Sequence, residues 1–405
     1  MIPAPARHPG QGEFIALVAF LMALVAMSID SMLPALGVIA AELGAREPND
    51  RQLILACLFG GLTFGLLVYG PLSDAIGRRR ALVAGLVLFL AGSLICTFAT
   101  SFPMLLMGRL LQGFGAAGPR IVAVAMVRDQ HDGRGMARIM SFSMSIFILV
   151  PVFAPAIGQS VLFVAGWRVI FAGLCVMGAA ALIWFLARQP ETLPPERRLA
   201  FNARNLWSAV KHVTGNRVCL GYILATGFIF GGFVGYLNST QQILGEAYGL
   251  GAAFPFYFGM LAAGFGAASL FNARLVMRFG MHYLSVRAGI ALCVVAVSLL
   301  GVEVLIAALP PLWLVLAAFM AIFFCAGVLF GNYNTLAMEP MGHIAGSASA
   351  IIGTATTGLS LAVGTAIGQA YDGTPLNVAA GFAITGLAAL AAQAFAETGR
   401  LPKRS

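Results

Sequence analysis

Charge is scarce in this sequence. Only 10% of its 405 residues are charged, while 60% are hydrophobic. A soluble domain carries about a quarter charged residues, so a solvated surface cannot be built from so few. Lysine is almost missing: only Lys211 and Lys403 are present. Neither stands in the G-x-x-x-x-G-K-[ST] context of a phosphate-binding loop, which argues against an ATP-driven pump. The six cysteines (Cys57, Cys96, Cys175, Cys219, Cys293, Cys325) lie singly inside apolar runs. They form no C-x-x-C pair, which argues against a metal site or a disulfide framework. The five histidines fall at loops or helix ends without metal-ligand spacing. No nucleophile–base set is visible, so neither an enzyme nor a cofactor is expected. The short alternating segments of a membrane β-barrel are lacking too.

What the sequence has instead is apolar runs of about 20 residues, the length that crosses a bilayer as a helix. Lipid cannot satisfy free backbone groups, so such runs must be helical. Twelve spans are expected, at about 14–40, 52–73, 81–100, 103–127, 138–162, 167–187, 217–240, 252–273, 283–307, 312–338, 345–370 and 376–396. The segment before Glu13 is short and proline-rich, and the first apolar run is too long for a signal-peptide core. It is expected to remain as a helix.

The formal charge of +9 points to the membrane, not to nucleic acid. Alternate connectors hold Arg78–Arg80, then Arg128, Arg134 and Arg138, then Arg274, Arg278 and Arg287. The tail adds Arg400, Lys403 and Arg404. The opposite connectors are nearly free of basic residues, with Arg46, Arg51 and Arg168 as exceptions. Both termini are therefore expected in the cytoplasm.

Residues 188–216 form the longest connector, rich in arginine and including Pro190, Pro194 and Pro195. We read it as a cytoplasmic linker between an N-terminal six-helix bundle (1–187) and a C-terminal one (217–405). Asn205–His212 is either a short helix on the anionic leaflet or plain solvated linker. The halves look like repeats. Leu72-Ser-Asp74-Ala-Ile-Gly77-Arg78 follows the second span, and Leu275-Val-Met277-Arg-Phe-Gly280-Met281 follows the eighth. Ala156-Ile-Gly158-Gln159 in the fifth span matches Ala366-Ile-Gly368-Gln369 in the eleventh. Parallel six-helix repeats are a known transporter plan.

Three sets of polar residues stand out. Gly70-Pro-Leu72-Ser-Asp74-Ala-Ile-Gly77-Arg78-Arg79-Arg80 has the logic of a tight turn between helices. Gly77 permits an unusual backbone conformation, and Asp74 is placed to accept from arginine. Arg109, with Gln112, Gly113 and Gly115, lies inside the fourth span, where an arginine is expensive and a functional candidate by default. Its bland alternative is a structural or snorkelling side chain. Asp30 lies within the first span. Desolvation and a neighbouring arginine act on such a carboxylate in opposite senses, which can tune a proton site to work near neutral pH. A plain polar helix contact is the alternative. Arg120, about three turns after Arg109, either lines a cavity or snorkels to a helix-end carbonyl. Pro151, Pro155 and Gly158 are expected to break the fifth helix.

The first set resembles motif A of the major facilitator superfamily, G-x-L-x-D-x-x-G-R-[RK], with a full match at Gly70, Leu72, Asp74, Gly77, Arg78 and Arg79. The resemblance implies a twelve-helix, two-half, all-α membrane fold. It also implies a cytoplasmic gate in which Asp74 and Arg78 join an acid at the end of the fourth helix, here Asp129. The second copy has Met277 in place of Asp74 and is not expected to gate. Arg109-Leu-Leu-Gln112-Gly113-Phe-Gly115 is similar to motif B. Asp30 resembles the acidic first-helix motif of drug:proton antiporters. Pro151, Pro155 and Gly158 resemble motif C, with Ala154 and Gln159 replacing two glycines. Trp167-Arg168-Val-Ile-Phe171 and Ala337–Ala350 look like the Bcr/CflA drug-resistance group. The resemblance implies proton-driven efflux of small amphipathic compounds across a bacterial inner membrane. It assigns Asp30 and Arg109 to proton coupling and places Asp30, Arg109, Gln112 and Arg120 at a substrate cavity. Protons, substrate and lipid are the expected partners, with a single chain as the working unit and no nucleic acid or cofactor. A metabolite transporter of the same fold stays open, as does, more remotely, a non-transporting receptor.

Overall fold

A computed structural model describes residues 9–131, 133–198, 203–306 and 309–398. Arg400, Lys403 and Arg404 lie outside these ranges, as does the side chain of Arg134. All regular structure among the described residues is helical. In chain order the α-helices are α1 (Gln11–Asp30), α2 (Leu36–Glu42), α3 (Leu53–Ile76), α4 (Arg78–Thr97), α5 (Phe102–Gln130), α6 (Gly133–Ala165) and α7 (Trp167–Arg188). Then follow α8 (Ala203–Gly215), α9 (Arg217–Thr240), α10 (Phe254–Phe279), α11 (Met281–Ile306), α12 (Leu312–Met338), α13 (Ala345–Gln369) and α14 (Leu376–Glu397). Among the described residues eleven helical stretches are long and apolar enough to cross a membrane, α1 through α2 counting as one. The twelfth run, Leu149–Ala165, is the apolar part of α6. Length and composition alone decide this, because a bilayer admits no other exposed backbone.

The chain forms two compact units, Met1–Leu206 and Trp207–Ser405. The division falls within α8, so the short helix expected in the connector is present. In the first unit α4 packs on α5 and α7, α3 on α5, and α1 on α6. In the second unit the corresponding pairs, α11 on α12 and α14, α10 on α12, and α9 on α13, also pack. The internal repeat is therefore one of packing as well as of sequence.

Two local features differ from expectation. The fifth span is not broken: α6 runs unbroken through Pro151 and Pro155. Each proline deletes one backbone donor, which a membrane helix tolerates because neighbouring groups re-satisfy the freed carbonyls. The break lies in the first span. There α1 ends at Asp30, Leu33–Ala35 forms a 3-10 turn with Pro34 in it, and α2 resumes. Pro34 has no N–H to continue the α-helical ladder. A second irregularity, a π-helix over Gln241–Ala247, extends α9.

Candidate functional site

Two polar sites lie in the first unit. At its basic end a single residue, Gly77, joins α3 to α4 with φ 97° and ψ 155°, a region essentially closed to residues with a side chain. A Cβ there would also sit 2.3 Å from Glu191 Oε2, so that carboxylate would have to move. The turn buries Arg78, whose Nε donates to Asp129 Oδ2 at 2.8 Å. Its Nη1 donates to Asp74 Oδ1 at 2.5 Å and to Ser73 Oγ at 2.8 Å. The Ser73 hydroxyl in turn donates to the Gly70 carbonyl. Asp74 from α3, Arg78 from α4 and Asp129 from α5 thus meet in one charge-assisted cluster, and Arg78 is almost fully buried. Bonds of this kind are about twice as strong as neutral ones. Arg79 donates to the Leu186 carbonyl at 2.8 Å, one of the orphan acceptors at the end of α7.

Sequence reasoning missed Glu191. Its Oε1 accepts the backbone N–H groups of Arg78, Thr192 and Leu193 at 2.8, 3.0 and 3.0 Å, and its Oε2 accepts that of Arg79 at 3.2 Å. A carboxylate at a helix N-terminus satisfies orphan donors and the positive end of the dipole together. Thr192 also donates to Asp129 at 3.2 Å, so the connector after α7 is tied directly to the cluster.

The second site surrounds the break in the first span. Arg109 is fully buried. Its Nη2 donates to the Ser28 carbonyl at 3.0 Å, its Nε to the Ile54 carbonyl at 3.2 Å, and its Nη1 to Gln112 Oε1 at 2.5 Å. Gln112 donates onward to Ser93 Oγ at 2.8 Å, and the guanidinium lies 5.7 Å from the Phe171 ring centroid. One arginine therefore ties α5 to α1, α3, α4 and α7. The Ser28 carbonyl is available because α1 stops two residues later, leaving its last carbonyls without helical donors.

Asp30 terminates α1 and is 4% exposed. Its carboxylate makes no hydrogen bond or ion pair among the described residues. Arg109 is not its partner; the two share only the Ser28–Asp30 segment. Gly158 of α6 closes on the same break: a Cβ there would meet the Ser31 carbonyl at 1.6 Å. The structure thus gathers Asp30, Arg109, Gln112 and Gly158 around one irregular backbone segment. Arg109 and Gln112 are both fully buried in the bundle wall and present no surface. Arg120 stands apart, half-buried, without a hydrogen bond or ion pair among the described residues.

In the second unit Gly280 repeats the positive-φ corner with φ 79°, but Met277 is exposed, and no arginine–carboxylate pair forms at that corner among the described residues. A different network occupies that end. Tyr222 donates to Glu397 Oε1 at 2.9 Å, His282 Nδ1 lies 3.1 Å from the same oxygen, and Gln393 donates to it at 2.9 Å. Tyr333 donates to Gln393 at 2.8 Å. The signal was present, since His282 holds the place in the repeat that Arg79 holds in the first half.

The chain as a whole has relatives among known proteins. The sequence matches the Major Facilitator Superfamily over residues 15–365. The chain belongs to the major facilitator superfamily. It is 33% identical to an uncharacterized MFS-type transporter, YdgK, of Bacillus subtilis, over 86% of this chain and 87% of that protein. It is 28% identical to a bicyclomycin resistance protein homolog of Haemophilus influenzae, covering 91% and 90%. It is also 28% identical to the multidrug resistance protein MdtL of Escherichia coli, covering 85% of each. Among solved structures it resembles the xylose transporter XylE of E. coli, with TM-score 0.72 at 15% identity over 97% of this chain and all of that one. It resembles the human organic anion transporter MFSD10 at TM-score 0.66 and 17% identity, over 96% and 100%. At such identities these likenesses establish the fold alone. This major facilitator protein is a multi-pass membrane transporter and not an enzyme.

Proposed function

We propose that this transporter is a proton-coupled exporter of small amphipathic compounds in a bacterial inner membrane, working by alternating access. The observation that carries the reading is the break in the first span. It holds a buried carboxylate without a donor, Asp30, two residues from the carbonyl that anchors Arg109. Intramembrane ionisable groups mark ion pathways. A proton on or off Asp30 changes the charge at the break. The break is also where α1 is fastened to Arg109 of α5 and packs against Gly158 of α6. Proton binding can thereby bias how α1, α5 and α6 sit together, which is the differential interaction that coupling requires. No cofactor is needed, because the proton gradient supplies the energy.

At the other end Gly70, Asp74, Gly77, Arg78, Arg79 and Asp129 act as a gate that holds the basic ends of α3, α4 and α5 together. The basic connectors support a cytoplasmic position for that end and for both termini. A single chain is the working unit. Relatives named for multidrug and bicyclomycin resistance support drug export over metabolite uptake. Arg120, half-buried and without a protein partner among the described residues, is the charged group best placed to meet a substrate. Pro151 and Pro155 lie inside α6 without interrupting the helix.

Expression in an efflux-deficient bacterium tests the reading. Resistance to several unrelated compounds, bicyclomycin among them, is expected to rise and to collapse when the proton gradient is dissipated. Membrane-inserted protein that changes susceptibility to none of a broad panel contradicts it.

A further inference from the structure

The second unit contains a buried acid that neither the gate nor the Asp30 site uses. Glu303 lies in the last turn of α11, at the end opposite the His282–Glu397 network. It is 6% exposed, and neither carboxylate oxygen has a hydrogen-bond partner among the described residues. An ionised carboxylate in that condition is very costly, so it must hold a positive partner.

The surroundings show where such a partner can come from. Asp372, exposed between α13 and α14, lies close enough to act on Glu303 electrostatically. It is held in place by the Thr374 backbone N–H at 3.1 Å and hydroxyl at 2.8 Å. Tyr248, also within electrostatic reach, gives its hydroxyl to the Pro310 carbonyl at 2.8 Å and so has no proton for Glu303. Burial, with Glu303 and Tyr371 nearby, pushes the Tyr248 phenol up to about 12. The helices packed on α11 supply no cation here. The titratable groups of α12 are Cys325 in its middle and Tyr333 in its far half, and α14 has only Glu397 at its other end. The connectors at this end, 241–253, 307–311 and 370–375, contain Glu246 and Asp372 but no lysine, arginine or histidine. α10 carries Tyr257 in its first turn and its two arginines, Arg274 and Arg278, toward its opposite end.

We infer that Glu303 is a second proton-binding carboxyl, loaded from the aqueous phase at the end of the unit that carries the exposed Asp372. A hydronium ion gives its proton to one Glu303 oxygen and leaves as water, and no other bond changes. A proton fits this place better than a hard cation: no group of three or more acids, histidines or cysteines gathers here among the described residues, and a hard cation takes six or more oxygens. The inference goes beyond Asp30 and rests on the proton-coupled reading only for the use made of the proton.

Infrared difference spectroscopy of the full chain in lipid, stepped from mildly acidic to mildly alkaline pH, tests it. The wild type is expected to lose the carbonyl band of one more neutral carboxyl than Glu303→Gln does, equally in choline and sodium buffers. Glu303→Asp is expected to restore a titrating band at a shifted frequency. Identical spectra for wild type and Glu303→Gln overturn the inference, as does a band that sodium removes at constant pH. pH-driven transport in vesicles is scored separately. A missing Glu303 band with transport intact sinks this site alone. A band that stands while wild-type transport ignores the gradient supports the site and sinks the coupling reading.

Discussion

The carboxylate of Glu191 accepts the backbone N–H of Arg78 at 2.8 Å, from 113 positions further along the chain. This contact caps α4 and ties the connector after α7 to the cluster of Asp74, Arg78 and Asp129. The cap and the cluster therefore form one connected set of hydrogen bonds, and the proposed gate could not open without also loosening the connector.

Replacing Glu191 by Ala removes an acceptor from four backbone donors. Loss of a cap costs about 1 kcal/mol. Amide hydrogen exchange at Arg78, Arg79, Thr192 and Leu193 is expected to rise severalfold, while exchange in the middle of α4 stays unchanged. Unaltered protection at all four amides would count against the cap.

Breaking the cluster itself should act on the transport cycle more than on folding. Asp129→Asn and Asp74→Asn are each expected to slow turnover and to raise cytoplasmic labelling of a cysteine placed at Ser141. Asp129 is less exposed than Asp74, 14% against 29%, so its replacement should have the larger effect. Equal labelling and equal rates in wild type and both variants would refute the gating role.

Much of this was legible in the sequence, and the reason is contrast. Arginines and aspartates stand out in a chain this poor in charge, so the spans and the intramembrane positions of Asp30 and Arg109 could be read from the residues, and the Asp74–Arg78–Asp129 meeting followed from the resemblance to motif A. Partners that carry no sequence signature could not. Arg109 is held chiefly by two backbone carbonyls, of Ser28 and Ile54, and any residue supplies a carbonyl. Proline was a poor guide to where a span breaks. Pro151 and Pro155 leave α6 intact, whereas Pro34 accompanies the real break. A membrane helix is interrupted only where other groups take up its freed carbonyls, and that depends on neighbours distant in sequence. Glu191 sits in an arginine-rich connector where an acid looks like ordinary solvated charge.

Arg120 sets an expectation for substrate charge. With Arg109 consumed by its own bonds, Arg120 is a half-buried cation inside a span without a partner among the described residues. Interactions in a low-dielectric setting are magnified. Arg120→Ala is expected to lower export of anionic compounds by roughly tenfold, about 1.4 kcal/mol, and to leave lipophilic cations unaffected. An equal fall for every substrate would make Arg120 structural.

Asp30 carries the central claim, and one comparison tests it most directly. Everted membrane vesicles containing wild type or Asp30→Asn are given an imposed pH gradient, and uptake of a compound exported by the wild type is followed. Substrate counterflow without a gradient is followed in parallel. The account predicts that Asp30→Asn loses gradient-driven accumulation while retaining counterflow, because the bundle still alternates but no longer exchanges its proton. Full gradient-driven accumulation by Asp30→Asn would contradict it.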